Sequence, residues 1–224
     1  MKFADRAAAG RQLATRLAHL KDRGAVVLAL PRGGVAVGFE IAQALGAPLE
    51  IVLVRKIGVP WQPELALGAV TDGGSPETFI DEDLSKVLDI PKSFVPEETA
   101  RQLEEIERRR ASYCEGRPLV DIARRTAIVV DDGIATGATM RVALGAVRRR
   151  HPAHLVLAVP VAAPETLRAF RKEANETVCL QTPVMLGAIG FYYRDFHQMS
   201  DAEVTDLLAR AAEPTLEVSE HDSR

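Results

Sequence analysis

The stretch that decides the fold is residues 126–139, TAIVVDDGIATGAT, which places two carboxylates between an apolar run and a turn of small residues. Thr126 to Val130 is predicted to be a strand buried on both faces, because the run is short, apolar and uncharged. Asp131 and Asp132 follow directly, and Gly137 to Arg150 is predicted to be a helix. This order indicates one unit of an α/β fold, in which a strand is followed by an acidic pair, a small-residue turn and a helix.

The acidic pair and the turn after it indicate a site for a sugar phosphate. Adjacent carboxylates at a strand end repel each other, and a sugar diol, a magnesium ion or both would offset that cost. The turn Ala135-Thr136-Gly137-Ala138-Thr139 brings two hydroxyls and several backbone N–H groups to the mouth of a helix. Together with the helix dipole, these groups favour a bound phosphate. The alternative is an ordinary turn in which the acidic pair caps the helix.

Other well-known site patterns do not fit the sequence. The P-loop pattern G-x-x-x-x-G-K-[ST] fails, because three residues separate Gly133 from Gly137 and no lysine follows. The dinucleotide pattern G-x-G-x-x-G follows none of the predicted strands. The five histidines lack the paired spacing of a zinc site, and no G-x-S-x-G segment occurs, so we expect neither a zinc enzyme nor a serine hydrolase.

The order of predicted elements indicates an α/β fold with a mostly parallel, Rossmann-like sheet flanked by helices. Further strands are predicted at 25–30, 49–54, 154–160 and 177–181, and further helices at 4–23, 35–45, 81–88, 96–115, 164–172 and 201–211, the last capped by Ser200 or Asp201. Residues 55–80 are rich in proline and glycine and predict a mobile hairpin, in which 65–70 pairs with 77–80. Ligands in such sheets bind at the carboxyl ends of the strands.

Length and composition favour one domain in a reducing compartment. The chain has 224 residues, and we expect a single domain over 1–211 with a disordered tail over 212–224. A net charge of −3 gives no global field for nucleic acid, and the basic runs 108–110 and 148–150 are interpreted as solvated helix faces. The two distant cysteines, the charged N-terminus and the lack of a long apolar run predict a cytoplasmic protein that binds no membrane.

The 131–139 segment resembles the phosphoribosyl pyrophosphate (PRPP) motif of the type I phosphoribosyltransferases. The resemblance implies that Asp131 and Asp132 bind the ribose hydroxyls, and that Ala135, Thr136, Gly137, Ala138 and Thr139 hold the 5-phosphate. It also implies Mg²⁺ as the cofactor, held by the two aspartates partly through ligand and water. A homodimer is a further implication. The whole pattern, including LPRGG, RKIG and YRDF, is similar to a bacterial subgroup that is sometimes fused to hydrolase domains.

Two loops that follow the first two predicted strands support this resemblance. Arg32, Gly33 and Gly34 match the loop that binds pyrophosphate in the family through an unusual backbone conformation. Arg55 and Lys56 lie where several family members place a basic residue that reaches pyrophosphate. Arg32 and Lys56 are therefore candidate catalytic residues together with the acidic pair, and the hairpin after Lys56 resembles a closing lid. The alternatives are a tight turn and a surface hairpin with a basic edge.

The C-terminal segment FYYRDF resembles the hood that covers the acceptor in this family, here about residues 182–198. Tyr192, Tyr193 and Asp195 are the candidate acceptor-pocket residues, since aromatic rings stack on bases and a carboxylate can reach a polar edge or a metal. Phe191 and Phe196 fit equally well as an apolar plug at the end of the sheet.

One departure from the family pattern concerns the acceptor. Enzymes that use 6-oxopurines typically place an aspartate at the position of Ala135, and a methyl group cannot move a proton. Adenine, uracil, orotate and amine acceptors stay open. We expect an enzyme that transfers ribose 5-phosphate from PRPP to a nitrogen acceptor and releases pyrophosphate. The alternatives are a non-catalytic PRPP sensor with the same fold and a sugar-phosphate hydrolase.

Overall fold

The computed structural model describes residues 2–71, 77–114 and 119–213. Its strands are β1 (Ala25–Ala29), β2 (Leu49–Ile51), β3 (Val54–Val59), β4 (Gln62–Thr71), β5 (Glu77–Ile80), β6 (Thr126–Val130), β7 (His154–Val161) and β8 (Glu176–Gln181). Its α-helices are α1 (Arg6–Arg16), α2 (Gly33–Leu45), α3 (Glu82–Val87), α4 (Phe94–Cys114), α5 (Ala138–Arg149), α6 (Pro164–Phe170) and α7 (Asp201–Ala212). Short 3₁₀ turns lie at Ala18–Leu20 and Ile189–Tyr192.

The main sheet has the strand order β2-β1-β6-β7-β8, and every pairing in it is parallel. The strands β1 and β6 are buried along their whole length, because helices cover both faces. Side chains of α1 and α2 pack on one face, and side chains of α5 and α6 pack on the other. This arrangement confirms the predicted α/β, Rossmann-like fold and places the end of β6 in the middle of the sheet.

A second sheet, of antiparallel strands in the order β3-β4-β5, stands beside the first. The predicted hairpin is present, but 68–71 rather than 65–70 pair with 77–80, and the longer pairing of β3 with β4 was not predicted. The predicted strand 49–54 is in fact divided, because 49–51 pair with β1 whereas Val54 pairs with Thr71. An uninterrupted apolar run does not reveal where a strand changes partner. The mobility of the hairpin stays a prediction.

The ends of the helices follow local sequence signals in most places. Gly46 ends α2 with a φ of 62°, and Ser200 forms a capping box with Glu203 at the start of α7. The predicted helix 4–23 is shorter, since α1 ends at Arg16 and a 3₁₀ turn follows.

The described residues test the expectations about the tail and the membrane only in part. Helix α7 extends to Ala212, and residues 214–224 of the predicted tail lie outside the described residues. Among the helices of the described ranges, none has the length and apolar character needed to span a bilayer. The single domain, the homodimer and the cytoplasmic location stay predictions.

Candidate functional site

The acidic pair lies at the carboxyl end of β6, at the centre of the main sheet. Asp131 is only partly exposed, and its Oδ1 accepts a hydrogen bond of 2.8 Å from the backbone N–H of Asp132. Burial, and then the negative charge of Asp132, raise the pKa of Asp131 well above its ordinary value. An anion in this position is therefore poorly compensated in the folded chain, and hydroxyl donors or a cation would stabilise it.

Asp132 has a partner that the sequence did not reveal. Nε of Arg6, at the start of α1, donates a 2.8 Å hydrogen bond to Oδ2 of Asp132, although the two residues are 126 positions apart. Burial raises the pKa of Asp132, and the hydrogen bond and charge of Arg6 act against that rise. Arg6 lies within the helix predicted over 4–23, and no local pattern marks a side chain that crosses to a distant strand.

The loop after β1 packs directly against the acidic pair. A Cβ atom at Gly33 would overlap Oδ2 of Asp132, and one at Gly34 would lie 2.8 Å from the carbonyl oxygen of Val130 and 3.0 Å from Cα of Asp131. The peptide bond between Pro31 and Arg32 is cis. The fold therefore brings together two segments that the sequence analysis connected only by resemblance, and glycine is what permits the close approach.

The turn from Ala135 to Thr139 presents its backbone N–H groups at the N-terminus of α5. Within the described parts of the chain, none of these five N–H groups has a hydrogen-bond acceptor. Gly137 has a φ of 82°, and a Cβ there would lie 2.8 Å from the ring of Phe170, so the turn requires glycine. The side chains of Thr136 and Thr139 are exposed. Open N–H groups, two hydroxyls and a helix N-terminus give the chemistry of an anion site.

Lys56 and Arg55 point in opposite directions, because neighbouring residues on a strand alternate faces. Lys56 lines a cavity of about 200 Å³ together with Ala138 and Thr139, so it lies on the side of the anion turn. Its Nζ donates to the carbonyl oxygen of Glu64 at 3.1 Å. Arg55 donates instead to Oε1 of Gln102 on α4, at 2.9 Å. The prediction that Arg55 binds the same ligand does not fit this orientation.

The Arg32 side chain reaches the start of α7. One guanidinium nitrogen, Nη1, lies 3.8 Å from Oδ1 of Asp201, which also accepts a 2.6 Å hydrogen bond from the hydroxyl of Tyr113. About a third of the Arg32 side chain stays exposed, so the side chain has room to move. A ligand at the β1 loop would have to compete with Asp201 for this cation.

The predicted hood places its three candidate residues in different surroundings. Tyr193 is buried against Phe3 and Phe196, and its hydroxyl donates to the backbone oxygen of Asp132 at 2.6 Å. Burial raises the pKa of this phenol. Its place in an acceptor pocket stays a prediction, since the ring is enclosed here and its hydroxyl ties the hood segment to the acidic pair.

The other two candidates remain accessible. Tyr192 is partly exposed, and its hydroxyl donates to the backbone oxygen of Met185 at 3.2 Å. Asp195 is exposed and lines a separate cavity of about 560 Å³ between α1 and α7. Phe191, for which an apolar plug was an equally open alternative, is 66% exposed. The two accessible candidates thus do not form one compact pocket in this state of the chain.

The fold and these loops define a class: α/β proteins with a Rossmann-like sheet and an acidic, glycine-rich site at its strand ends. Residues 5–195 match the phosphoribosyl transferase domain family, and the chain belongs to this family. The recognition made from the 131–139 segment is thereby confirmed.

Relatives support the same family. Proteins of Mycobacterium tuberculosis strains CDC 1551 and H37Rv, which carry the provisional name phosphoribosyl transferase, are 44% identical over 209 residues. The match covers 93% of this chain and 47% of theirs, so the chain spans about half their length. A uracil phosphoribosyltransferase of Lactobacillus gasseri is 45% identical over 58 residues, which cover 26% of this chain and 27% of that protein.

A crystal structure of the protein TT1426 from Thermus thermophilus has the same fold. Its TM-score is 0.82 at 42% identity, and the superposition covers 95% of this chain and 100% of that one. The arrangement of strands and helices is therefore shared over nearly the whole length of both chains.

Proposed function

We propose that the protein binds PRPP with Mg²⁺ and transfers the ribose 5-phosphate to a nitrogen acceptor, with release of pyrophosphate. One observation carries the proposal: two adjacent carboxylates, Asp131 and Asp132, follow the buried strand β6 and precede a turn whose backbone N–H groups lack acceptors among the described residues. A ribose 5-phosphate supplies hydroxyl donors to the first and an anion to the second. Membership of the phosphoribosyl transferase domain family supports the transfer chemistry.

The ribose and its phosphate would be held by different groups of the same segment. Asp131 and Asp132 accept hydrogen bonds from the ribose hydroxyls, which relieves the repulsion between the two carboxylates. The N–H groups of 135–139 and the hydroxyls of Thr136 and Thr139 hold the 5-phosphate. These contacts fix the sugar so that the bond to pyrophosphate lies over the end of the sheet.

The acidic pair also fits a bound magnesium ion, on the evidence of its own chemistry. The carboxylates are hard oxygen ligands, and burial keeps the pKa of Asp131 raised although the positive charge of Arg6 lowers it in part. No cluster of three or more His, Cys, Asp or Glu within residues 2–71, 77–114 and 119–213 could hold a metal by itself. Oxygens of the ligand and water would therefore complete the set. When bound, Mg²⁺ supplies positive charge to the leaving pyrophosphate.

The leaving group would be stabilised by the β1 loop and by the second sheet. Gly33 and Gly34 let the backbone approach the site closely, and Lys56 faces the anion turn across the cavity beside α5. Arg32 can join them by leaving Asp201. Catalysis is then mainly electrostatic, because positive groups gather where negative charge develops on the departing pyrophosphate.

The acceptor is a nitrogen nucleophile that needs no proton transfer to residue 135. Ala135 is exposed at the turn and offers only a methyl group. Tyr192 is a partly exposed aromatic side chain of the hood, and Phe191 beside it is exposed as well. Asp195 would serve the acceptor only through the cavity between α1 and α7.

Isothermal titration calorimetry with PRPP and Mg²⁺ tests the binding step. Asp131→Asn and Asp132→Asn should each weaken binding by about ten- to a hundredfold, because a hydrogen bond to a charged group contributes about 1.5–3 kcal/mol. The matched control is Asp83→Asn, since the Asp83 side chain on α3 is 99% exposed and faces Lys86 at 3.9 Å. Unchanged affinity in both acidic-pair variants would remove the proposal.

A second assay tests the transfer step. Pyrophosphate release is measured with PRPP, Mg²⁺ and a panel of bases and amines. Release with one acceptor class supports the transferase, and the dependence on that acceptor identifies the substrate. Tight PRPP binding without release for any acceptor would favour the non-catalytic sensor.

A further inference from the structure

Arg6 is a buried cation in the site that neither the sequence nor the family resemblance assigned. Its side chain is 10% exposed, and that of its partner Asp132 is 16% exposed. An arginine is seldom buried unless it is paired, so its placement against the acidic pair needs a reason. Arg11, further along α1, shows the ordinary case: its side chain is 59% exposed and pairs with Glu40 at 3.0 Å.

Three contacts fix the guanidinium of Arg6. Its Nε donates to Oδ2 of Asp132 at 2.8 Å, and its Nη1 donates to the backbone oxygen of His197 at 2.9 Å. Its central carbon lies 3.9 Å from the centre of the Phe196 ring. A planar group with several fixed donors can satisfy all three contacts at once, which a lysine ammonium cannot do.

The surroundings prevent the pair from rearranging easily. The backbone at Gly33 closes over it, since a Cβ there would lie 2.9 Å from Nε of Arg6 and overlap the carboxylate of Asp132. From the other side, the buried Tyr193 donates to the backbone oxygen of Asp132. The carboxylate of Asp132 is thus held in one orientation, with Oδ2 directed to Arg6.

We propose that Arg6 is a positioning residue, which holds the Asp132 carboxylate ready for the ribose and ties it to the C-terminal segment 193–199. Arg6 acts through Asp132 and does not itself contact the ligand. The inference rests on the proposed function. It adds that the N-terminal helix orients the sugar-binding carboxylate of Asp132. The same Arg6 side chain also binds the C-terminal segment, through the backbone oxygen of His197.

A double-mutant cycle on PRPP affinity tests this role. Arg6→Met, Asp132→Asn and the double variant are compared with the wild type by calorimetry with PRPP and Mg²⁺, and circular dichroism confirms that each folds. Arg6→Met is expected to weaken binding by about tenfold or more, because it leaves the largely buried carboxylate of Asp132 without its partner. In the Asp132→Asn background, the same change should have an effect of about twofold or less.

Two further variants separate positioning from general structure. Arg11→Met removes an arginine and its ion pair from the same helix and should leave PRPP affinity unchanged. Arg6→Lys keeps the charge but cannot span Asp132 and the His197 oxygen together, so its affinity should fall between those of the wild type and Arg6→Met. If Arg6→Met does not fold, the cycle is run with Arg6→Lys.

The outcomes are distinct. A loss on Arg6→Met that disappears in the Asp132→Asn background supports the positioning role. Equal losses in both backgrounds, or wild-type affinity in Arg6→Met, overturn it while leaving PRPP binding in place. A wild type that binds no PRPP overturns the proposed function and the role of Arg6 with it.

Discussion

Replacing Gly34 with alanine should show whether close packing of the β1 loop outweighs the higher helix propensity of alanine in the free energy of unfolding. Gly34 lies in the first turn of α2, where alanine would normally stabilise the helix by about 1 kcal/mol. Here the new Cβ would stand 2.8 Å from the carbonyl oxygen of Val130 and 3.0 Å from Cα of Asp131. Both are backbone atoms at the end of a buried strand, so neither can rotate away.

The expected magnitude follows from these opposing terms. Overpacking in a rigid region costs about 1–3 kcal/mol, and the upper half of that range applies because the neighbours are backbone atoms. After subtraction of the helix gain, Gly34→Ala should lower the free energy of unfolding by about 1–2 kcal/mol. For a chain of this length, that lowers the Tm by about 2–8 °C. The displaced loop should also weaken PRPP binding by about tenfold, since it moves away from Asp131.

The assay is differential scanning calorimetry together with PRPP titration, with Gly145→Ala as the matched control. Gly145 lies in α5, and its added Cβ would meet nothing nearer than an Arg149 side-chain nitrogen at 3.8 Å. The control should therefore raise the Tm by about 1–4 °C and leave PRPP affinity unchanged. If Gly34→Ala were as stable as the control and bound PRPP normally, the close packing of the β1 loop on the acidic pair would be refuted.

Three other predictions concern charged side chains. Lys56→Met should weaken PRPP binding by about tenfold, whereas Arg55→Met should not; calorimetry showing the reverse order would contradict the assigned strand faces. Asp201→Asn should free Arg32 and tighten PRPP binding by about two- to fivefold, and weaker binding would exclude the competition between them. Hydrogen bonds to Glu203, and then to Asp195, raise the pKa of His197 above its ordinary value. Protonated His197 should therefore stabilise the fold below its ordinary pKa, and this stabilisation should be lost as the pH rises through its raised pKa in the folded chain. NMR titration of His197 measures that pKa, and an unshifted value would argue against the prediction.

Much of the fold could be predicted from the sequence because its signals are local. Short apolar runs bounded by glycine and proline gave the buried strands, and alternation with amphipathic segments gave the parallel sheet. The division of 49–54 between two sheets could not be predicted, since apolar character reports burial but not the identity of the pairing strand. The pairing of β3 with β4 was missed for the same reason.

The sequence by itself determined the acidic pair and the anion turn, because Asp131 to Thr139 form one contiguous segment whose chemistry depends on residue order. Tertiary structure alone decided which distant groups serve that segment. It brought Arg6 to Asp132 across 126 positions, turned Arg55 away from the anion turn, and buried Tyr193 beneath the site. These placements depend on how helices cross the sheet and which face a side chain takes, and neither is encoded in a local run of residues.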